Sequence, residues 1–360
     1  MIDARHIVFA YPGDLQTPTG GYAYDRRIMA GLQVSGWEVE PLALGEGFPF
    51  PDEDTLCRVQ QRLELVPNGR TLVIDGLAFG VMDPVFSATG NRWRFVALVH
   101  HPLCKENGLS HSTARILENS EHRALAYADR VIVTSKATAD QVAGLFAVPR
   151  DKIHVVVPGT DQMSPPEALT GAQGTKTQGE VVRLLSVGTI VPRKGYDLLF
   201  AALSGLAHMP WHLDIIGDTS RDSACFQNLV SQLASLGLSE RVTFHGAVAE
   251  PDLSEHYASA DIFVLASRYE GYGMAYTEAL AHGIPVIGSG EGAVRETLGG
   301  GGALYCPTND VAALKDALGQ LIARPNVREH LRQEAMIRSR EFPTWDQAVR
   351  QFAKVLEGGR

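Results

Sequence analysis

Six short apolar runs, a polar break and six more such runs constrain this chain more than any other feature of its sequence. Before the break they are HIVFAY (6–11), WEVEPLAL (37–44), TLVIDGLAF (71–79), RFVALVH (94–100), RVIVTS (130–135) and IHVVVPG (153–159). After it come VVRLLSVGTI (181–190), WHLDIIGD (211–218), RVTFHGAV (241–248), DIFVLAS (261–267), IPVIGS (284–289) and GGALYC (301–306). Most lack strict alternation of apolar and polar residues, as strands buried on both faces do. Helix-like stretches separate them, so the pattern predicts an α/β chain with two doubly wound domains. The break, DQMSPPEALTGAQGTKTQGE (161–180), is rich in Pro, Gly, Thr and Gln and reads as a linker. The expected division is a first domain over 1–163, a linker over 164–180 and a second domain over 181–342. In the last segment, 343–360, Trp345, Val349, Phe352 and Val355 share a helical face expected to pack back on the first domain.

The bulk properties exclude several classes. With 360 residues, 45% hydrophobic and 20% charged, the chain can bury a large core. A net charge of −9 argues against a nucleic-acid protein, which needs a basic face. Cys57, Cys104, Cys225 and Cys306 are scattered without a CxxC pair and read as reduced thiols. The start, MIDARHIVFAYPG, runs into a strand with no signal-peptide core, and no apolar run is long enough to span a bilayer. The expectation is a cytoplasmic protein with no transmembrane segment; peripheral membrane contact stays compatible with it.

The stretch SRYEGYGMAYTEALAHGIPVIGS (267–289) reads as loop, helix and strand, with Gly283 and Pro285 ending the helix. A right-handed crossover puts the loop and the helix start at the carboxyl edge of a parallel sheet, where ligands bind. A helix start offers free amides and a positive dipole end to a diphosphate. Gly271 and Gly273 let backbone approach a ligand closely. Glu278, an acceptor-only carboxylate, suits ribose hydroxyls, and Glu270 in the loop suits those of an attached sugar. A nucleoside-diphosphate sugar accounts for both.

This stretch resembles the E-x7-E signature of the retaining family-4 glycosyltransferases, and the resemblance runs through most of the chain. VVRLLSVGTIVPRKGYDLLF, HLDIIGD, VTFHGAV, EGAVRETL and GALYCPTNDVAAL follow in that family's order, and AYADRVIVTSKATADQVAGLFAVPRDKIHVVVPGTD resembles its acceptor-domain end. The resemblance implies the type-B fold, two Rossmann-like domains facing across a cleft. It also implies sugar transfer from a UDP- or GDP-linked donor to a hydroxyl acceptor, with retention at the anomeric carbon. Lys194 and Arg193 are then assigned to the donor diphosphate, Glu278 to ribose, and Glu270 to the donor sugar. The amides of Tyr272, Gly273, Met274 and Ala275 would face the phosphates, and Gly217 would flank the nucleoside. Many members carry arginine where this chain has Thr189, which leaves the cationic role to Arg193 and Lys194.

In the first half, Gly20 and Gly21 open an amphipathic helix and resemble the family's Gly-Gly loop near donor phosphate and acceptor. His100 ends the run VALVH and matches a histidine the family often has there, bordering the interdomain cleft. The catalytic set expected is therefore His100, Glu270 and Lys194. His100, His101, Cys104 and His111 fit no standard tetrahedral zinc spacing. No Asp-x-Asp motif ends a strand, so neither a metal nor any cofactor beyond the sugar nucleotide is expected. The acceptor, a glycan, lipid or small molecule, is left open. An epimerase of the same fold and a non-catalytic sugar-nucleotide-binding subunit stand as alternatives. A dinucleotide oxidoreductase is disfavoured because FAYPGDLQTPTGG replaces G-x-G-x-x-G after the first strand.

Overall fold

The computed structural model describes residues 5–106, 108–161 and 180–358. The predicted linker, 164–180, lies outside these except for Glu180. The chain divides into two compact units: residues up to Gly159 with those from Trp345 onward, and Thr160–Thr344.

In the first unit, β1 (His6–Pro12), β2 (Glu38–Gly45), β3 (Thr71–Asp75), β4 (Arg94–Val99), β5 (Arg130–Val133) and β6 (Ile153–Val155) form one sheet. Its order is β2-β1-β3-β4-β5-β6, and every neighbouring pair is parallel. All of β3 is buried, whereas β2 at the edge exposes Glu38 and Glu40. The strand order reverses beside β1, where the chain leaves for β2 on one side and returns to β3 on the other. Such a switch point opens a crevice at the carboxyl ends of the strands.

The second unit repeats the plan. β7 (Val182–Val187), β8 (Trp211–Ile216), β9 (Val242–Gly246), β10 (Ile262–Leu265), β12 (Val286–Ser289) and β14 (Ala303–Cys306) form a parallel sheet ordered β14-β12-β10-β7-β8-β9. Here the reversal lies between β7 and β10. Two further strands, β11 (Tyr269–Glu270) and β13 (Glu291–Gly292), pair with each other beyond the ends of β10 and β12. Each sheet has its own apolar core, with Phe9, Phe79 and Phe86 fully buried in the first unit and Trp211, Phe200 and Phe263 in the second. These are two Rossmann-like domains of six parallel strands each.

Three local expectations need correction. The run 71–79 is strand only to Asp75, because the Asp75 carboxylate accepts from the Leu77 amide (2.7 Å) and caps a short helix, Gly76–Phe79. The run 153–159 is strand only to Val155. Glu270 lies not in a loop but in β11, held in register with Gly292.

The helix Trp345–Glu357 buries Ala348, Val349, Phe352, Val355 and Leu356 and lies against the helix Gly20–Val34. Gly31 makes the approach possible: a Cβ there would sit 2.3 Å from Val349 Cγ2. The Trp345 ring packs on Tyr24 at 6.0 Å, and Gln351 Nε2 donates to Val155 O at 2.6 Å.

Candidate active site

At the switch point of the second unit, one carboxylate gathers three donors. Lys194 Nζ lies 2.6 Å from Glu270 Oε1, Ser267 Oγ donates to the same oxygen at 2.6 Å, and Arg193 Nη1 donates to Oε2 at 3.2 Å. The cluster is largely shielded from water, with side chains 7%, 13% and 16% exposed for Glu270, Lys194 and Arg193. Burial alone would raise the Glu270 carboxyl, but the two cations and the bonds from Lys194 and Ser267 outweigh it and hold it at about 2.

The chain builds this cluster by bringing two strand ends together. A tight turn, Pro192–Lys194, follows β7, and Gly195 closes it in the left-handed region with φ 66°. A Cβ on Gly195 would lie 1.9 Å from Ala266 O, so only glycine lets the turn rest on the end of β10. Arg268 then staples it, donating to both oxygens of Asp197 (2.9 and 2.7 Å) and to Pro192 O (2.6 Å).

The helix Met274–Ala281 starts beside this cluster, with Gly273 as its N-cap and no side chain capping its amides. The Tyr276 amide donates back to Gly273 O at 3.0 Å, which leaves the Met274 and Ala275 N–H groups at the positive dipole end. Tyr276 fixes the start by donating to Leu265 O (2.9 Å) and Ser289 O (3.2 Å), and Thr297 Oγ1 donates to Tyr272 O (2.7 Å). Met274, Ala275 and Gly273 are half-buried. Glu278 sits mid-helix, and its Oε2 accepts from Tyr257 OH at 2.9 Å. Gly217 closes β8 onto β9 through its amide bond to Gly246 O at 2.9 Å.

The first unit holds a second cluster at its own switch point. His100, just after β4, directs Nε2 to Asp25 Oδ1 at 3.1 Å and Asp75 Oδ2 at 3.4 Å. Asp25 lies on the helix Gly20–Val34 and is 0% exposed; Asp75 ends β3 and is 3% exposed. Gly20 and Gly21 open that helix behind the N-cap Thr19, and a Cβ on Gly21 would lie 3.3 Å from His100 Cδ2. The Gly-Gly turn and the histidine are therefore neighbours. His101 instead meets Glu106 at 3.3 Å. Among the described residues, the ligand-type side chains drawn together are Asp25, Asp75 and His100, not the His101, Cys104 and His111 set.

Residues 79–162 match the sequence model described as Glycosyltransferase Family 4, and residues 173–338 match the one described as Glycosyl transferases group 1. The chain belongs to glycosyltransferase family 4. A mannosylfructose-phosphate synthase of Agrobacterium fabrum is 30% identical over 259 residues, 67% of this chain and 56% of that protein. A D-inositol 3-phosphate glycosyltransferase of Actinosynnema mirum is 30% identical over 278 residues, 72% of this chain and 66% of that one. The chain thus spans little more than half the length of the first of these relatives. Among solved structures, the sucrose-phosphate synthase of Thermosynechococcus elongatus superposes with a TM-score of 0.80 at 19% identity, covering 98% of both chains. HepE of Anabaena, solved with UDP and glucose, gives 0.74 at 18% identity over 98% of this chain and 100% of that one. The fold is the family's type-B fold.

Within this family-4 chain, Glu270, Lys194, Arg193 and the start of the Met274 helix come together, as do Gly20, Gly21 and His100. Glu278 is anchored to Tyr257 instead of to the Glu270 cluster. Sequence reading missed Ser267, Asp25 and Asp75. Asp25 did carry a signal: it shares the buried helical face of Ile28, Met29 and Leu32, where a carboxylate needs a partner. A cavity of about 530 Å³ lined by Val181, Arg183, His212, Asp214, His256 and Ser259 lies at the amino ends of β7 and β8. It contains none of the predicted site residues. No helix among the described residues is long and apolar enough to cross a membrane.

Proposed function

We propose that this protein is a retaining glycosyltransferase that moves a sugar from a UDP- or GDP-linked donor to a hydroxyl acceptor. The observation that carries the reading is the clamped Glu270, with two cations and an uncapped helix start beside it at the second unit's switch point. Two positive side chains around one carboxylate leave a net positive charge, and the helix dipole adds to it. That field receives a leaving diphosphate without a divalent metal. Glu270, immobilised and held ionised, accepts hydrogen bonds from donor-sugar hydroxyls, while Glu278 and Tyr257 receive the ribose. His100 provides a donor to a substrate hydroxyl. In the transfer, the anomeric carbon–phosphate oxygen bond breaks, and the acceptor oxygen bonds to the same face. The acceptor's proton passes to the leaving phosphate.

Its relatives bear transferase and synthase names, and HepE was solved with UDP and glucose, which supports a sugar-nucleotide donor over epimerisation. A sugar-nucleotide donor and four free cysteines support a cytoplasmic reaction, which cell fractionation checks. The direct test incubates purified protein with UDP- and GDP-sugars and follows nucleotide release, with NMR of the product's anomeric proton. Release that persists in EDTA and an anomer matching the donor's are the expected results. An absolute metal requirement or an inverted anomer would overturn the reading.

A further inference from the structure

We propose that Asp25 and Asp75 hold His100 as a doubly protonated, fixed hydrogen-bond donor, so that it serves the reaction as a cation and never as a general base. The inference deepens the glycosyltransferase reading and rests on it for the word reaction. The geometry does not depend on it. An ionised carboxylate only accepts, so the approach of His100 Nε2 to two carboxylate oxygens, at 3.1 and 3.4 Å, puts a proton on Nε2. Among the described residues neither Asp25 nor Asp75 has a lysine or arginine partner, and Asp25 Oδ2 has no hydrogen bond at all. Two carboxylates this buried are costly unless a charge answers them. The imidazolium is that charge.

The ring is fixed from every side that touches it. From the Gly20–Val34 helix come the Asp25 carboxylate and the Tyr24 ring, edge-on at 5.4 Å, with Gly21 leaving room for the imidazole. From the end of β3 comes Asp75, whose other oxygen is tied to the Leu77 amide. Behind β5, Thr134 Oγ1 donates to the His100 carbonyl at 3.2 Å. No basic side chain is among these groups. Nδ1 makes no hydrogen bond to any described residue, and it is the nitrogen left for a substrate oxygen. Asp25 and Asp75 are thus positioning residues that act through His100.

The charge balance agrees with the geometry. Burial opposes a charged ring, but Asp25 and Asp75 outweigh it and push His100 up to about 10. Burial also pushes Asp25 up to about 7, against the pull of His100. The ring therefore stays charged across the neutral range.

The test reads the wild-type chain first, so that it stands even if no sugar transfer is found. In ¹⁵N-histidine NMR, with the His100 signal identified by its loss in His100→Asn, both ring nitrogens are expected to carry protons up to pH 8. A neutral ring at that pH overturns the proposal. So does a stoichiometric metal ion that a chelator strips from the three side chains. In the isosteric double variant Asp25→Asn/Asp75→Asn the ring's midpoint should fall from about 10 by about three units or more, since burial then acts unopposed. Its turnover should rise as pH falls and be at least about tenfold below wild type by pH 8, because a ring with a midpoint of about 7 or lower is about one-tenth protonated or less there. The donor KM should change less than kcat. An equal loss at every pH would reduce the carboxylates to packing and overturn their role.

Discussion

Among single residues, the two glutamates of the E-x7-E stretch stand in different physical situations, and substitution should separate them. Glu270 is one partner of a nearly dry ion cluster, so removing either side strands a charge. Breaking such a cluster from one side costs about 3–5 kcal/mol. Glu270→Ala and Lys194→Ala are each expected to fall in or just below that range in urea denaturation. The double variant should cost clearly less than the sum, with a coupling above about 1 kcal/mol. A coupling near zero would mean that the pair does not hold the turn to β11. Glu278→Ala removes one acceptor from Tyr257 and should cost only about 1–2 kcal/mol. The Glu270 carboxyl also carries a pH signature. Its folded value, about 2, lies below the usual carboxylate range, so its contribution is full above about pH 4.3 and is lost as pH falls towards 2. The spacing of the glutamates was legible because glycines bracket it. Ser267 was not, since a serine at a strand end resembles any turn residue. Asp75 was hidden in the same way, as the polar end of TLVID.

For whole elements, burial on both faces made the strands legible, and it also set the limit of that reading. Every one of the twelve apolar runs contains a strand of one of the two sheets, but several strands stop before their run does. TLVIDGLAF shows why: apolarity continues through Gly76–Phe79, while Asp75 caps a helix there and changes the backbone. The strands β11 and β13, two residues each, have no period to detect. Helix contacts are harder still to read, because the sequence shows a face and not its partner. Gly31 makes the point. In an isolated helix glycine to alanine gains about 1 kcal/mol. Here the added Cβ would meet Val349 Cγ2 at 2.3 Å, so Gly31→Ala should instead lose about 1–3 kcal/mol. Val349→Ala in the same chain should recover part of that loss. A stabilised Gly31→Ala protein would show that the two helices do not pack this closely.

On the scale of the whole molecule, the chain enters the first unit, builds the second and returns to the first through the helix Trp345–Glu357. The returning face was visible as Trp345, Val349, Phe352 and Val355, whereas the elements it covers were not. The fold therefore predicts where a distant substitution is felt. Phe352 is 0% exposed and belongs by contact to the first unit, although it follows the whole of the second unit in sequence. Phe352→Ala opens a cavity in a packed layer and should cost about 3–5 kcal/mol. Stability is local when units have separate cores, and hydrogen exchange reads it strand by strand. The slow amides of β1 to β6 should lose protection by about that free energy. Those of β7 to β10, β12 and β14, which share a different core, should keep theirs. Equal loss in both sheets would mean that the two units open as one, and the C-terminal helix would then stabilise the whole chain and not the first unit alone.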